Sequence, residues 1–75
     1  MENFITSNFY FAAALVASGH PIIQTDTSDS KHIRFEFKSE GIASIMNLWD
    51  AKTLVVNARE YAEALREVKM KLHQI

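Results

Sequence analysis

The sequence contains no cysteine, one proline and only two glycines among its 75 residues. The lack of cysteine excludes disulfides and removes the thiolate ligands of most structural zinc sites. Two glycines are too few for a glycine-rich phosphate-binding loop, and both Gly19 and Gly41 fall at expected helix boundaries. We therefore expect neither a cofactor nor a bound metal.

A strong net charge and a long apolar run are also missing. The formal net charge is -1, so no overall field draws the chain towards a polyanion. The longest apolar run, Phe9 to Ala17, has nine residues, whereas a bilayer-spanning helix needs about 20. The N-terminal residues 1–4 (MENF) lack the basic start of a signal peptide. These features predict a cytoplasmic protein with no membrane partner.

What the sequence does contain is a large share of apolar side chains, 48%, which is typical of a globular protein. A chain of 75 residues can hold one hydrophobic core, so we expect a single domain over residues 1–75. A core of this size supplies only about 3 to 5 kcal/mol of net stability. Since disulfides are excluded, close packing or association with another chain must stabilise the fold.

The first half of the chain predicts a helix followed by an antiparallel hairpin. Residues 9–17 are strong helix formers, with Thr6 or Ser7 as the N-cap and Gly19 as a left-handed C-terminal cap. Residues 22–26 form an extended segment after Pro21, and residues 32–38 alternate strictly between apolar and polar. The alternation places one set of side chains in the core and the other in solvent. The inward set is Ile33, Phe35 and Phe37, and the outward set is His32, Arg34, Glu36 and Lys38.

The second half predicts two more helices. Ser39 is the expected cap of a short helix over residues 41–49. Residues 53–56 (TLVV) favour β structure and are interpreted either as a short third strand or as a buried connection. Asn57 with Glu60 has the spacing of a capping box and begins a long C-terminal helix. The predicted fold class is therefore α+β. The apolar seam of the last helix comprises Tyr61, Leu65, Val68, Leu72 and Ile75.

No catalytic or metal-binding constellation is apparent. Asp26 and Asp29 lie in a polar cluster that favours a turn, because the glycine and glutamate of a calcium loop are missing. The three histidines, His20, His32 and His73, have no ligand spacing. We therefore predict that the protein is not an enzyme and has no small-molecule substrate.

Basic residues are concentrated on the outward strand face and on the last helix. If these residues lie together, they form a nucleic-acid-binding surface. A helix with cations near its C-terminus is otherwise ordinary, because they complement the helix dipole. The nucleic-acid candidates are Arg34, Lys38, Arg66 and Lys69.

The first helix has an unusual uncharged side opposite its core stripe, formed by Tyr10, Ala13, Ala14 and Ala17. Surface helices normally carry charges on this side. The side either packs inside the chain, with the helix between the hairpin and another helix, or forms a small-residue docking face for a second protein chain.

Five stretches carry a resemblance to a known family: residues 11–20 (FAAALVASGH), residues 33–37 (IRFEF), Leu48-Trp49, residues 56–61 (VNAREY) and residues 64–69 (ALREVK). Together they resemble a small family of phage and prophage proteins of unknown function. Trp49 and Asn57 stand where that family usually has a tyrosine-like aromatic and an acidic helix cap. The resemblance implies a phage-type context and supplies no site residues.

We accordingly expect a small phage-type accessory protein in the host cytoplasm that works by protein–protein interaction. Its partner would be a host or phage protein, or a second copy of the chain. The alternative is a nucleic-acid-binding module that uses the strand face and the basic C-terminal helix.

Overall fold

The computed structural model describes residues 3–29 and 31–72. This part of the chain has three helices and a three-stranded antiparallel sheet with the strand order β1-β3-β2. The predicted α+β fold class is therefore confirmed. The elements are β1 (Phe4–Thr6), α1 (Phe9–Ala17), β2 (Gln24–Asp26), β3 (Arg34–Phe37), α2 (Ile42–Asp50) and α3 (Ala58–Leu72).

Helix α1 has the predicted extent but a different N-cap. The Asn8 side-chain oxygen accepts a hydrogen bond from the backbone N–H of Phe11 at 3.1 Å, so Asn8 is the cap. The prediction of Thr6 or Ser7 was wrong because Thr6 belongs to β1, and its hydroxyl oxygen accepts from the Asn8 backbone N–H instead. At the other end, Gly19 adopts the expected left-handed conformation, with φ of 97°.

The predicted hairpin is present, with Thr25 of β2 opposite Phe35 of β3. Its loop is shaped by two side-chain contacts typical of polar turns. The carboxylate of Asp26 accepts from the backbone N–H of Ser28 at 2.9 Å, and that of Asp29 accepts from Lys31 at 3.0 Å.

The third strand is β1, not residues 53–56. It pairs with β3 so that Phe4 lies opposite Phe37. Because β3 pairs with β2 along its other edge, β3 is the central strand of the sheet. Residues 53–56 have no strand pairing, and Val55 is 89% exposed. They are therefore neither a strand nor a buried connection.

The caps of the last two helices differ in kind. Helix α2 begins after Gly41, whose φ of 80° is left-handed, and it has no side-chain cap. The prediction of Ser39 as its cap was wrong, because only the Ser39 carbonyl contributes, accepting from the Ile42 N–H at 3.2 Å. The predicted Asn57 cap of α3 is confirmed by a hydrogen bond from the Glu60 N–H at 3.0 Å.

The core surrounds α1 and is built from side chains of the sheet and all three helices. Residues 11–15 of α1 are buried consecutively, and five successive helical positions point in every direction around the axis. The helix packs most extensively on α3, whose buried residues are Ala64 and Val68. In the predicted α3 seam, Tyr61, Leu65 and Leu72 are only half-buried, and Ile75 lies outside the described residues.

Candidate protein-interaction surface

The end of α2 is closed by a backbone motif that uses an unusual residue. The Thr53 N–H donates to the Leu48 carbonyl at 2.9 Å and the Lys52 N–H donates to the Trp49 carbonyl at 3.1 Å. These two bonds define a Schellman C-cap, in which the residue after the cap is left-handed and is usually glycine. Here that residue is Lys52, with φ of 62°. The motif fixes the direction in which the chain leaves α2.

Residues 53–56 follow this cap and join α2 to α3 without secondary structure. The Leu54 N–H donates to the Leu48 carbonyl at 3.2 Å. Within residues 3–29 and 31–72, the backbone N–H groups of Val55 and Val56 form no hydrogen bond to the protein. The segment is thus a largely apolar stretch in which two successive backbone donors have no partner among the described residues.

Apolar side chains that are exposed or half-buried follow the end of α2 and this segment, and we name them, with Lys52, the linker patch: Leu48, Trp49, Lys52, Leu54 and Val55. Trp49, Lys52 and Leu54 line a surface cavity of about 370 Å³. Leu48 is 44% exposed. Its backbone carbonyl oxygen accepts the hydrogen bonds from the Thr53 and Leu54 N–H groups. Because the Trp49 ring lies 5.3 Å from the Phe11 ring, centroid to centroid, the floor of the patch is anchored in the core.

The docking face predicted on α1 does not exist as a surface. Ala13 and Ala14 are 0% and 1% exposed, so the prediction that they form a docking face was wrong. They are enclosed because α1 is covered on every side over residues 11–15, as the alternative of an internal helix required. Ala17 is half-buried, and only Tyr10 is exposed, at 61%.

Tyr10 also marks a contact between α1 and α3. The Tyr61 hydroxyl donates a hydrogen bond to the Tyr10 carbonyl oxygen at 3.3 Å. Partial burial raises the pKa of Tyr61 above its ordinary value, and the neighbouring Tyr10 adds to the rise. Tyr61 therefore stays a neutral donor at physiological pH.

Arg34, one of the two nucleic-acid candidates on the strand, lies in an environment rich in carboxylates. Arg34 pairs with Asp26 at 4.0 Å, and Glu36 lines the same cavity of about 160 Å³. Hydrogen bonds from Ser28, backbone and side chain, hold the pKa of Asp26 below its ordinary value, with a further contribution from Arg34. Asp26 is therefore ionised, and its negative charge lies beside the Arg34 guanidinium.

Lys38 lies apart from this pair, in a different depression. That cavity of about 440 Å³ also holds the half-buried His20 and the exposed Glu40, over the apolar side chains of Pro21 and Ile23. It combines a lysine and a histidine with a carboxylate, so its charges are mixed.

The two helix-side candidates are on the outer side of α3, since the inner side is occupied by Ala64 and Val68. Arg66 shares a cavity of about 500 Å³ with Glu63 and Glu67. Lys69 is exposed on the same helix. Arg34, Lys38 and Arg66 line three different surface cavities.

The charged and metal-ligating side chains of the described residues lie outside the core and form no metal-binding group. None of their charged side chains is buried, and no three of their histidine, aspartate and glutamate side chains are grouped to hold a metal ion. None of the helices in residues 3–29 and 31–72 has the length and apolar character needed to cross a bilayer.

The linker patch was missed as a site by the sequence reasoning, although its signal is visible. The apolar, β-prone residues 53–56 lie between two helix caps, and such residues would normally be covered. The pattern alone does not say whether the fold covers them. No protein-family model, curated protein or solved structure matches this chain.

Proposed function

We propose that this chain is a small accessory protein that acts by binding another protein chain through the linker patch. The observation that carries the proposal is the 89% exposure of Val55 within the apolar segment 53–56. Single exposed apolar residues are ordinary on protein surfaces. Here, however, the exposed Leu48 and Val55 are the sequence neighbours of the half-buried Trp49 and Leu54, which line a surface cavity with Lys52.

Two physical properties make this surface suited to a protein partner. Covering apolar area contributes about 25 cal/mol per Å², so a partner that covers the patch gains free energy. The free N–H groups of residues 55 and 56 offer main-chain hydrogen bonds to an extended segment.

The proposal includes the biological context that the sequence resemblance implies. The chain acts in the host cytoplasm as a phage-type protein, without enzymatic activity and without a cofactor. In support of protein binding, Leu48 and Val55 are among the large apolar side chains that the described surface exposes.

The alternative, nucleic-acid binding, has weaker support from the geometry. Phosphate binding needs cations that release counterions from the nucleic acid. Arg34 adjoins Asp26 and Glu36, and Arg66 adjoins Glu63 and Glu67. Carboxylates accompany the guanidinium in both places, and Lys71 also lines the second cavity, so neither place is an uninterrupted basic surface.

A photo-crosslinking experiment tests the proposed function. A photoreactive phenylalanine analogue replaces Val55 in one variant and the exposed Ala62, on the outer side of α3, in a matched control. Irradiation in cells that express the chain should give a discrete protein adduct from position 55 and none from position 62. Equal yields from the two positions, or no adduct from position 55, would refute binding through the linker patch.

A further inference from the structure

We infer that the depression beside Lys38 is a second binding site, separate from the linker patch, and that its ligand is a free apolar α-amino acid. This depression, which we name the loop cavity, has a volume of about 440 Å³. Small-molecule sites are typically cavities of about 300 to 1,000 Å³ with apolar walls and a few polar groups. The loop cavity has this composition, since its lining residues are His20, Pro21, Ile23, Lys38, Glu40 and Gly41.

Two connections that are distant in sequence form the walls of the loop cavity, and backbone hydrogen bonds hold both in place. On one side, the His20 N–H donates to the Leu15 carbonyl of α1 at 2.9 Å. The Ile23 N–H donates to the Glu36 carbonyl of β3 at 2.8 Å. On the other side, a backbone hydrogen bond of 3.2 Å from the Ile42 N–H closes the turn before α2. The fold itself therefore forms the cavity, as is usual for small-molecule sites.

Gly41 makes room for the His20 ring at the edge of the loop cavity. A Cβ atom at position 41 would lie 3.2 Å from Cε1 and 3.7 Å from Nε2 of this ring. Because glycine has no Cβ atom, the ring packs directly beside the backbone. The His20 side chain forms no hydrogen bond or ion pair within residues 3–29 and 31–72. Its ring nitrogens can therefore bond to a ligand.

The two charged residues of the loop cavity have opposite signs and are not paired with each other. Lys38 and Glu40 are both exposed, and neither forms an ion pair with another residue of the described ranges. An ammonium and a carboxylate that line one cavity without meeting can each bind the opposite charge of a ligand. A ligand that carries both charges satisfies both side chains at once.

A free apolar α-amino acid matches the charges and the apolar wall together. Its carboxylate pairs with Lys38 and its ammonium group with Glu40, and its side chain covers Pro21 and Ile23. Ile23 is 46% exposed, so it has apolar area left to cover. A phosphate would instead lie beside the Glu40 carboxylate, and a polyamine would lie beside the Lys38 ammonium. Each exposed ion pair contributes little by itself, so recognition depends on the three contacts together.

A two-dimensional NMR titration of the whole chain with L-leucine tests the site. The backbone amides of Ile23 and Gly41 should shift along a saturable curve, and that of Ala62, on the outer side of α3, should not. Leucinamide lacks the carboxylate, and N-acetyl-leucine lacks the ammonium group. Each analogue should bind about threefold more weakly than leucine, which is the loss expected for one exposed ion pair.

Two variants that each remove one charge assign the two charges of the ligand. Lys38→Gln should weaken leucine binding about threefold and leave leucinamide binding unchanged, because leucinamide has no carboxylate to pair. Glu40→Gln should weaken leucine binding to a similar extent and leave N-acetyl-leucine binding unchanged. Lys31→Gln is the matched control, since Lys31 is exposed in the loop at the other end of the hairpin. It should not alter leucine binding.

Three results would overturn the inference. The first is that leucine causes no saturable shift of the Ile23 and Gly41 amides. The second is that leucine binds equally to the parent, Lys38→Gln and Glu40→Gln, which would mean that the charges do not select the ligand. The third is that N-acetyl-leucine binds more tightly than leucine, which would make the cavity an anion site. The crosslinks from position 55 test the linker patch separately, so the proposed function can stand or fall without this site.

Discussion

The hydroxyl oxygen of Tyr61 lies 3.3 Å from the backbone carbonyl oxygen of Tyr10 and donates a hydrogen bond to it. The two residues are 51 positions apart, in the first turns of α3 and α1, so this bond joins the two helices where both begin. Tyr61→Phe keeps the half-buried ring and removes the donor.

We expect Tyr61→Phe to lower the free energy of unfolding by about 0.5 to 1.5 kcal/mol, the net value of a typical hydrogen bond. Tyr10→Phe is the matched control, because its backbone acceptor is retained and its ring is largely exposed. Urea denaturation of both variants measures the difference. Equal stability of the two would show that the bond contributes nothing.

Ala13→Glu should unfold the chain. Ala13 is 0% exposed, and a carboxylate at this position would be both crowded and unpaired among apolar neighbours. Ala62→Glu makes the same change on the exposed side of α3 and should stay within about 0.5 kcal/mol of the parent. Circular dichroism at 25 °C distinguishes the two; a folded Ala13→Glu variant would mean that α1 is not enclosed as described.

The elements that sequence reasoning predicted correctly are those whose signals are local. The α1 bounds follow from a run of helix formers closed by Gly19, and the α3 cap follows from Asn57 and its hydrogen bond to the Glu60 N–H. The hairpin strand β3 follows from its strict alternation. Each signal is contained within a few residues, so tertiary contacts are not needed to read it.

The elements that it missed depend on distant contacts. Strand β1 has only three residues, and its pairing partner Phe37 lies 33 positions from Phe4. No local pattern specifies such a pairing. The predicted and the observed candidate surfaces differ for the same reason. Whether Ala13 or Val55 faces solvent depends on how α3 and α2 pack, and the sequence around each residue does not determine that packing.

Leu15→Ala should remove most of the stability of the fold. Leu15 is one of the largest fully buried side chains, and truncation of a buried leucine costs about 2 to 5 kcal/mol. That range is similar to the whole stability expected for a core of this size, about 3 to 5 kcal/mol. Met70→Ala, at a position 59% exposed on α3, is the control and should change stability by less than about 0.5 kcal/mol. A Leu15→Ala variant with a parent-like urea midpoint would contradict the described core.

Lys52→Gly should stabilise the chain. Lys52 has φ of 62°, a conformation that costs a non-glycine residue about 1 to 2 kcal/mol. Glycine removes this strain, and its extra freedom in the unfolded state offsets about 0.5 to 1 kcal/mol of the gain. The expected net change is a gain of up to about 1 kcal/mol. Lys38→Gly, where φ is not positive, should instead lower stability, and thermal denaturation compares the two.

The last prediction concerns the contact between Gly41 and His20 beside the N-terminus of α2. Gly41 has φ of 80°, and a Cβ atom added to it would lie 3.2 Å from Cε1 of the His20 ring. Gly19 has a similar φ of 97°, but an added Cβ would meet no atom within 4 Å. Alanine at either position incurs the left-handed strain of about 1 to 2 kcal/mol. Only at position 41 does it also displace a neighbouring ring, so Gly41→Ala should lower the free energy of unfolding more than Gly19→Ala.

Replacing His20 by alanine removes the ring and should reduce the destabilisation by Gly41→Ala to that by Gly19→Ala. A double-mutant cycle by urea denaturation measures this coupling, which we expect to be at least about 0.5 kcal/mol for residues in contact. A cost of Gly41→Ala that is the same with and without the His20 ring would show that the ring moves aside freely and that backbone strain alone accounts for the glycine.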